Sequence, residues 1–242
     1  MNYLIPNFLK RSFGSQAKAD NFVINQLQNL GSGLKILDVG AGSMRYKKYC
    51  NHLNYESQDF QEGSFDFNNS KLGYEIDNNK NSNCYKHNEY EYGSIDILCD
   101  LINIPRSDKE YDVILCTEVL EHIYNPAAAI NEFSRLLKPN GKLIITSPVG
   151  CIRHMDPHFY SHGLSDRWFE KSKDLYGFTN IEIKQDGDYY SFLSYEIARF
   201  AYFSNFFIKL IFLPVFVILN LKKINKKSID TIGQHYFVVF TK

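Results

Sequence analysis

The sequence predicts an α/β fold built on a doubly wound, mostly parallel sheet. Three observations point there. Short apolar runs at 35–39, 111–116 and 142–146 alternate with helix-length amphipathic stretches. The first run carries an acid, Asp38, and then breaks into Gly40-Ala41-Gly42, the pattern of a buried strand that turns tightly into the next segment. Acids also close the next two runs, at Asp59 and Asp100, and open α/β sheets bind ligands beyond the carboxyl ends of their strands.

Composition narrows the setting. A chain of 242 residues suits one α/β unit with insertions, so 1–242 is expected as a single domain. Lysine plus arginine and aspartate plus glutamate each number 27. That neutral balance gives no support for nucleic-acid binding. Cys50, Cys84, Cys99, Cys116 and Cys151 form no Cys-x-x-Cys pair. Reduced thiols in the cytoplasm are favoured over a disulfide frame or a zinc site. Residues 1–13 lack the ordered charge, apolar core and small-residue cleavage site of a signal peptide.

The elements follow in order. Residues 15–30 carry Phe22, Val23, Leu27 and Leu30 behind Asp20, an amphipathic helix. Strand one, 35–39, passes through the glycine turn into a helix expected over 46–52, and strand two spans 53–58. Residues 61–93 turn polar and aperiodic, a loop insertion. Strand three is 95–99 and strand four 111–116. A helix over 126–137 closes at Pro139-Asn140-Gly141, ahead of strand five at 142–146. A helix over 166–176, strand six at 178–184 and a last apolar strand at 234–241 complete the chain.

The glycine turn also narrows the ligand. A dinucleotide fingerprint needs a third glycine where Arg45 stands. Asp38 would set negative charge against a pyrophosphate. A ligand without phosphate and with a cationic amino group suits it better, and S-adenosylmethionine (SAM) has that character. Asp38-Val39-Gly40-Ala41-Gly42 resembles motif I of the class I SAM-dependent methyltransferases, with Met44 where many members carry another glycine. The series continues with Asp59, Asp100, Tyr-Asp-Val-Ile-Leu-Cys-Thr-Glu ending at Glu118, and Leu-Lys-Pro-Asn-Gly-Lys-Leu-Ile-Ile-Thr ending at Thr146. In that order it resembles methyltransferases of ubiquinone and glycan pathways, over roughly residues 20–190 plus the last strand.

The resemblance implies a Rossmann-like, seven-stranded sheet whose last strand is antiparallel and lies between the fifth and sixth. It implies SAM contacts from Asp38, Gly40, Gly42, Asp59, Phe60, Asp100, Leu101 and Thr117. Asp59, seventeen residues after Gly42, is preferred to Glu56 for the ribose, because a carboxylate accepts from both hydroxyls. The plainer alternative makes the strand-end acids helix caps and the glycines ordinary turns.

Thr117-Glu118-Val119-Leu120-Glu121-His122 is expected to open the helix after strand four. Glu118, Glu121 and His122 then share one helical face. Three readings stay open. The acids favour the helix dipole and His122 packs; His122 or Glu118 is a general base for the acceptor; or the face binds a divalent metal, with His154, His158 or His162 as a fourth ligand. The last resembles the small-RNA 3′-end methyltransferases, and no residue is assigned to metal at this point. Residues 153–160 follow strand five, where this fold builds its acceptor pocket, and His154 joins His122 and Glu118 as a catalytic candidate.

Residues 195–227 form a hydrophobic insert before the last strand. Its centre, 206–219, is interrupted only by Lys209 and Pro214, and is shorter than the roughly 20 residues that span a bilayer. Lys222, Lys223, Lys226 and Lys227 follow. Helices lying on an anionic membrane surface are expected, against the alternative of a cap buried on the domain or across a dimer.

Together these features predict a cytoplasmic SAM-dependent methyltransferase, peripheral at the inner face of the membrane. Its acceptor is expected to be small or lipid-linked, such as a sugar of a surface polysaccharide or a quinone-like ring, with O-methylation favoured. The alternatives are a non-catalytic binding protein of the same fold and a metal-dependent RNA 3′-end methyltransferase. Nothing in the sequence sets an oligomeric state.

Overall fold

The computed structural model describes residues 15–60, 93–155, 158–222 and 226–242. The N-terminal segment 1–13, the polar insertion apart from Gly93, and Lys223 of the basic cluster lie outside the described residues.

Seven strands form one sheet: β1 (Lys35–Val39), β2 (Asn54–Asp59), β3 (Ile97–Leu98), β4 (Tyr111–Thr117), β5 (Leu137–Pro148), β6 (Asn180–Asp186) and β7 (His235–Thr241). Their order is β3-β2-β1-β4-β5-β7-β6. β1 sits at the centre, parallel to β2 and β4, with Asp38 opposite Ser57 and Leu115. β7 runs antiparallel between β5 and β6, as the resemblance implies.

Residues alternate across this sheet, and both faces are covered. One face meets α1 (Ser15–Gln28): Val23 and Leu27 pack on Ile36, Val113, Leu115 and Ile144. The other meets α2 (Pro126–Leu136) and α3 (Asp166–Leu175), where Phe133 and Phe169 pack among Leu37, Val39, Ile114 and Phe240. Asn125 caps α2 by accepting from the Ala128 amide at 3.1 Å, with Pro126 behind it. Ser165 caps α3 through the Trp168 amide.

Four expectations change. Residues 46–52 form only a 3-10 turn, Lys47–Tyr49. Met44, at φ +54°, leaves the chain turning, and amides at 47, 49 and 50 bond three residues back. β3 shrinks to two residues because Asp96 takes over the pairing: its carboxylate accepts from both the amide and the hydroxyl of Ser57. β5 runs from Leu137, so Pro139-Asn140-Gly141 lies inside it, where Asn140 and Gly141 bond the backbone of Lys242. After β4, Glu118 turns at φ +55° into a 3-10 turn, Leu120–His122, and α2 starts only at Pro126.

The insert forms α4 (Tyr189–Tyr202), α5 (Phe206–Leu221) and the short α6 (Lys226–Ile229). Asp188, fully buried, caps α4 through Ser191 and accepts from the Ser228 hydroxyl at 2.7 Å. The two ends of the insert are thereby tied together. Among the described residues no helix is long and apolar enough to cross a membrane.

Phe133 is fully buried between α2 and the sheet. Phe133→Ala is expected to cost about 3–5 kcal/mol of stability, read as a lower urea midpoint with unchanged slope.

Candidate functional site

The chemistry-bearing side chains gather at one edge of the sheet, where β1, β2, β3 and β4 end. β7 runs the other way, so its first residue, His235, comes to the same edge, paired opposite Pro148.

On one side stands the glycine turn. Gly40 adopts φ +63°, and a Cβ there would fall 2.4 Å from a methyl of Val119. Glycine is therefore demanded by packing of the β1 turn on the segment after β4, as well as by the left-handed backbone. The Gly42 amide donates to Asp59 Oδ2 at 2.7 Å, and Asp59 Oδ1 accepts from the Phe60 amide. Gln58 receives the Gly40 amide at 3.4 Å and donates to the Cys99 carbonyl at 2.6 Å, linking the ends of β1, β2 and β3. Met44 adopts a left-handed backbone too, a strain of about 1–2 kcal/mol in a residue with a side chain.

Asp38 is buried beside this turn and accepts from the Tyr55 hydroxyl at 2.7 Å. Burial pushes its carboxyl up to about 7, the charge of Asp59 adds to this, and the Tyr55 bond opposes both. Asp100 accepts from the Ile102 amide, Leu101 is buried in the core, and Phe60 is half exposed.

On the other side, two acids part company. Glu118 donates its amide to Thr146 and places Oε2 3.1 Å from His235 Nε2; its Oε1 is buried without a hydrogen-bond partner. His235 Nδ1 lies 2.5 Å from Ser15 Oγ, which donates to Asp186 at 2.9 Å. The entry of α1 is thus joined to this edge of the sheet.

Glu121 turns away from that chain and is 1% exposed, with Oε2 buried and unpartnered. His122 Nδ1 donates to the His158 carbonyl at 2.7 Å, and His154 Nδ1 donates to the Ile152 carbonyl at 2.8 Å. Each ring therefore presents Nε2 as its lone-pair nitrogen. Burial holds His122 down at about 4 and, with Glu118 nearby, holds the Glu121 carboxyl well above the usual carboxylate range. Their 3.8 Å contact joins a carboxyl held toward its neutral form to an imidazole held toward its neutral form. The His122 and His154 rings meet edge to face at 4.7 Å, with Phe159 5.4 Å from His154.

A family model described as a methyltransferase domain matches residues 13–194. The chain belongs to the methyltransferase-domain family. The chain is 29% identical over 132 residues to the ubiquinone biosynthesis O-methyltransferase of Rickettsia bellii, covering 52% of this chain and 48% of that one. It spans from about a fifth to about a half of the length of the curated relatives it matches. A SAM-dependent methyltransferase from Archaeoglobus fulgidus shares the fold with a TM-score of 0.56 at 15% identity, over 97% of this chain and 98% of that one. So does phosphoethanolamine N-methyltransferase 2 of Haemonchus contortus in complex with SAM, with a TM-score of 0.51 at 15% identity, over 97% and 54%. At these identities the two solved structures show that the chain shares their fold.

The structure brings Asp38, Gly40, Gly42, Asp59, Phe60, Asp100, Leu101 and Thr117 to one edge, with Thr117 ending β4 opposite Thr146. It does not put Glu118, Glu121 and His122 on one helical face. Glu118 lies in the left-handed region at φ +55° and turns to His235, while Glu121 and His122 meet His154. His158 and His162 point elsewhere: His158 faces Phe60 and Tyr160, and His162 bonds Cys151 and faces Phe159. Tyr55, Gln58 and His235 are supporting residues that motif reading misses. An antiparallel β7 was the signal for His235, because such a strand begins at the ligand edge.

Asp38 sets a pH dependence. Its folded pKa lies above the unfolded value of about 3.9, so ionisation favours the unfolded chain. The loss of stability grows as pH rises through this window and is complete above pH 7. Asp38→Asn is expected to gain on wild type between pH 5 and pH 8, by about 4 kcal/mol at most, in urea titrations without SAM. An equal effect at both pH values contradicts this assignment.

Proposed function

We propose that this methyltransferase transfers the SAM methyl group to a hydroxyl of a small or lipid-linked acceptor at a membrane surface, a sugar of a surface polysaccharide foremost. The acceptor oxygen forms the new carbon–oxygen bond as the carbon–sulfonium bond breaks. S-adenosylhomocysteine leaves, and the hydroxyl gives up its proton. The observation that carries this reading is the cluster of Glu121, His122 and His154 beside the end of β4, with both Nε2 lone pairs available by tautomer.

In this reading Asp38 faces the cationic amino end of SAM, Asp59 takes the ribose hydroxyls, and Phe60, Asp100 and Leu101 surround the adenine. Gly40, Gly42 and Thr117 line the methionine end. Glu118, held by His235, adds negative charge on the donor side. His122 and His154 serve the acceptor, and alignment of acceptor and methyl supplies most of the rate. The ubiquinone O-methyltransferases among the relatives favour oxygen as the acceptor atom and make a quinone-like ring the second acceptor class to assay.

The membrane surface is supported by α5. Phe206, Phe207, Ile211, Ile218 and Leu221 are all more than half exposed, and Lys209, Lys222, Lys226 and Lys227 lie beside them in sequence. At 16 residues α5 is about 24 Å long, too short for a span and suited to lying in the interface. The 1–242 chain acts as one domain in this reading, with 61–93 and 195–227 as its insertions.

His154→Ala is expected to slow labelled-methyl transfer about 100-fold while calorimetric SAM affinity stays unchanged; wild-type turnover in that variant overturns its role. Wild type is expected to sediment with anionic vesicles, and Phe207→Asp with Ile211→Asp to remain in the supernatant at unchanged Tm. Equal sedimentation of both proteins removes the membrane surface.

A further inference from the structure

We infer that Glu121, His122 and His154 form a divalent-cation site of the two-imidazole, one-carboxylate kind, whose open position takes the acceptor oxygen. The ion's role in activating the acceptor rests on the methyl-transfer reading above; its binding does not.

The three residues each offer one ligand atom, and these atoms lie within 4.8 Å of one another. A tetrahedral ion with bonds of about 2.0–2.1 Å needs its ligands roughly 3.4 Å apart. Glu121 Oε1 and His122 Nε2 already stand at 3.8 Å. Side-chain rotations that move these atoms by about an ångström close the set.

Three features beyond proximity point to a cation. Glu121 is 1% exposed, yet its Oε2 has no hydrogen-bond partner. A buried carboxyl is normally satisfied, because its desolvation is otherwise uncompensated. Both imidazoles have Nδ1 tied to a backbone carbonyl, of His158 and Ile152. That fixes the ring orientation and leaves Nε2 as the ligand nitrogen, the outer-shell arrangement of metal-binding histidines. Finally, His154 is half-buried on the loop after β5, so the set is reached from the surface rather than sealed in the core.

The donor set suits Zn²⁺, which takes two histidines and one carboxylate in catalytic sites, and also Mn²⁺ or Fe²⁺. Glu118 is not a member, since its Oε2 is engaged by His235. This distinguishes the site from one built on both acids and His122. With the ion bound, both Nε2 lone pairs serve as ligands, so the ion takes over from the imidazoles in activating the acceptor: it would make a bound hydroxyl more acidic, with the proton passing to solvent as the oxygen attacks the methyl carbon and the carbon–sulfonium bond breaks.

The test uses the full chain, stripped by chelator, with neither SAM nor acceptor. Titration with Zn²⁺ alone by calorimetry, and with Co²⁺ alone by its visible absorption, should show one ion per chain with a low-coordinate cobalt spectrum. His154→Ala and Glu121→Gln should each weaken binding by at least about tenfold, at near wild-type Tm for His154→Ala on its loop, while Glu118→Gln binds as wild type does. No binding by wild type, or undiminished binding by His154→Ala, overturns the site. A loss in Glu118→Gln equal to that in Glu121→Gln overturns the assigned ligand set. Methyl transfer that persists undiminished in chelator, with ion binding intact, overturns the role in activating the acceptor and leaves the methyltransferase reading standing.

Discussion

The close approach of Gly40 to Val119 holds the active edge together. With no Cβ at Gly40, the turn after β1 settles on the segment after β4, and the Gly42 amide reaches Asp59 on β2. Three strand ends are thereby locked in one plane of chemistry. Gln58 extends the lock to β3 through the Cys99 carbonyl. A side chain at Gly40 would push the glycine turn and the segment after β4 apart, and Val119 leads directly into Glu121 and His122.

The site is poised for positive charge. Asp38 and Glu121 are buried carboxyls held toward their neutral forms, and His122 is a buried imidazole held neutral. Burial is the largest cause in each case, and carboxyl neighbours add to it for the two acids. A cation entering either half would let a carboxylate ionise beside it, exchanging an unfavourable desolvated state for a paired one. In the proposed function the methyl donor brings such a charge to the Asp38 side. The same electrostatic logic applies on the Glu121 side, which is why the two halves resemble each other in chemistry while differing in sequence motif.

The sheet was largely legible in the sequence because it rests on runs of apolar residues whose period needs no tertiary information. β1, β4 and the antiparallel β7 fall within a residue or two of their expected bounds. The departures share a cause: side chains or backbone doing locally what a regular element would do. Asp96 replaces strand pairing at β3, Met44 denies a helix after the glycine turn, and the left-handed Glu118 denies one after β4. That last departure matters most for function. A spacing of three and four residues puts groups on one face only if the backbone is helical, and a single positive φ sent Glu118 to His235 and Glu121 to the two histidines. Tyr55, Gln58 and His235 were illegible because each acts through a partner on another strand.

The central claim is that the carboxyl edge of β1, β2 and β3 is where the methyl donor lies. A crystal structure of the chain with S-adenosylhomocysteine tests it most directly. The account predicts the amino-acid end along Gly40 and Gly42, the ribose hydroxyls on Asp59, and the adenine between Phe60 and Leu101. Product bound anywhere else, or an empty edge at saturating product, would contradict it.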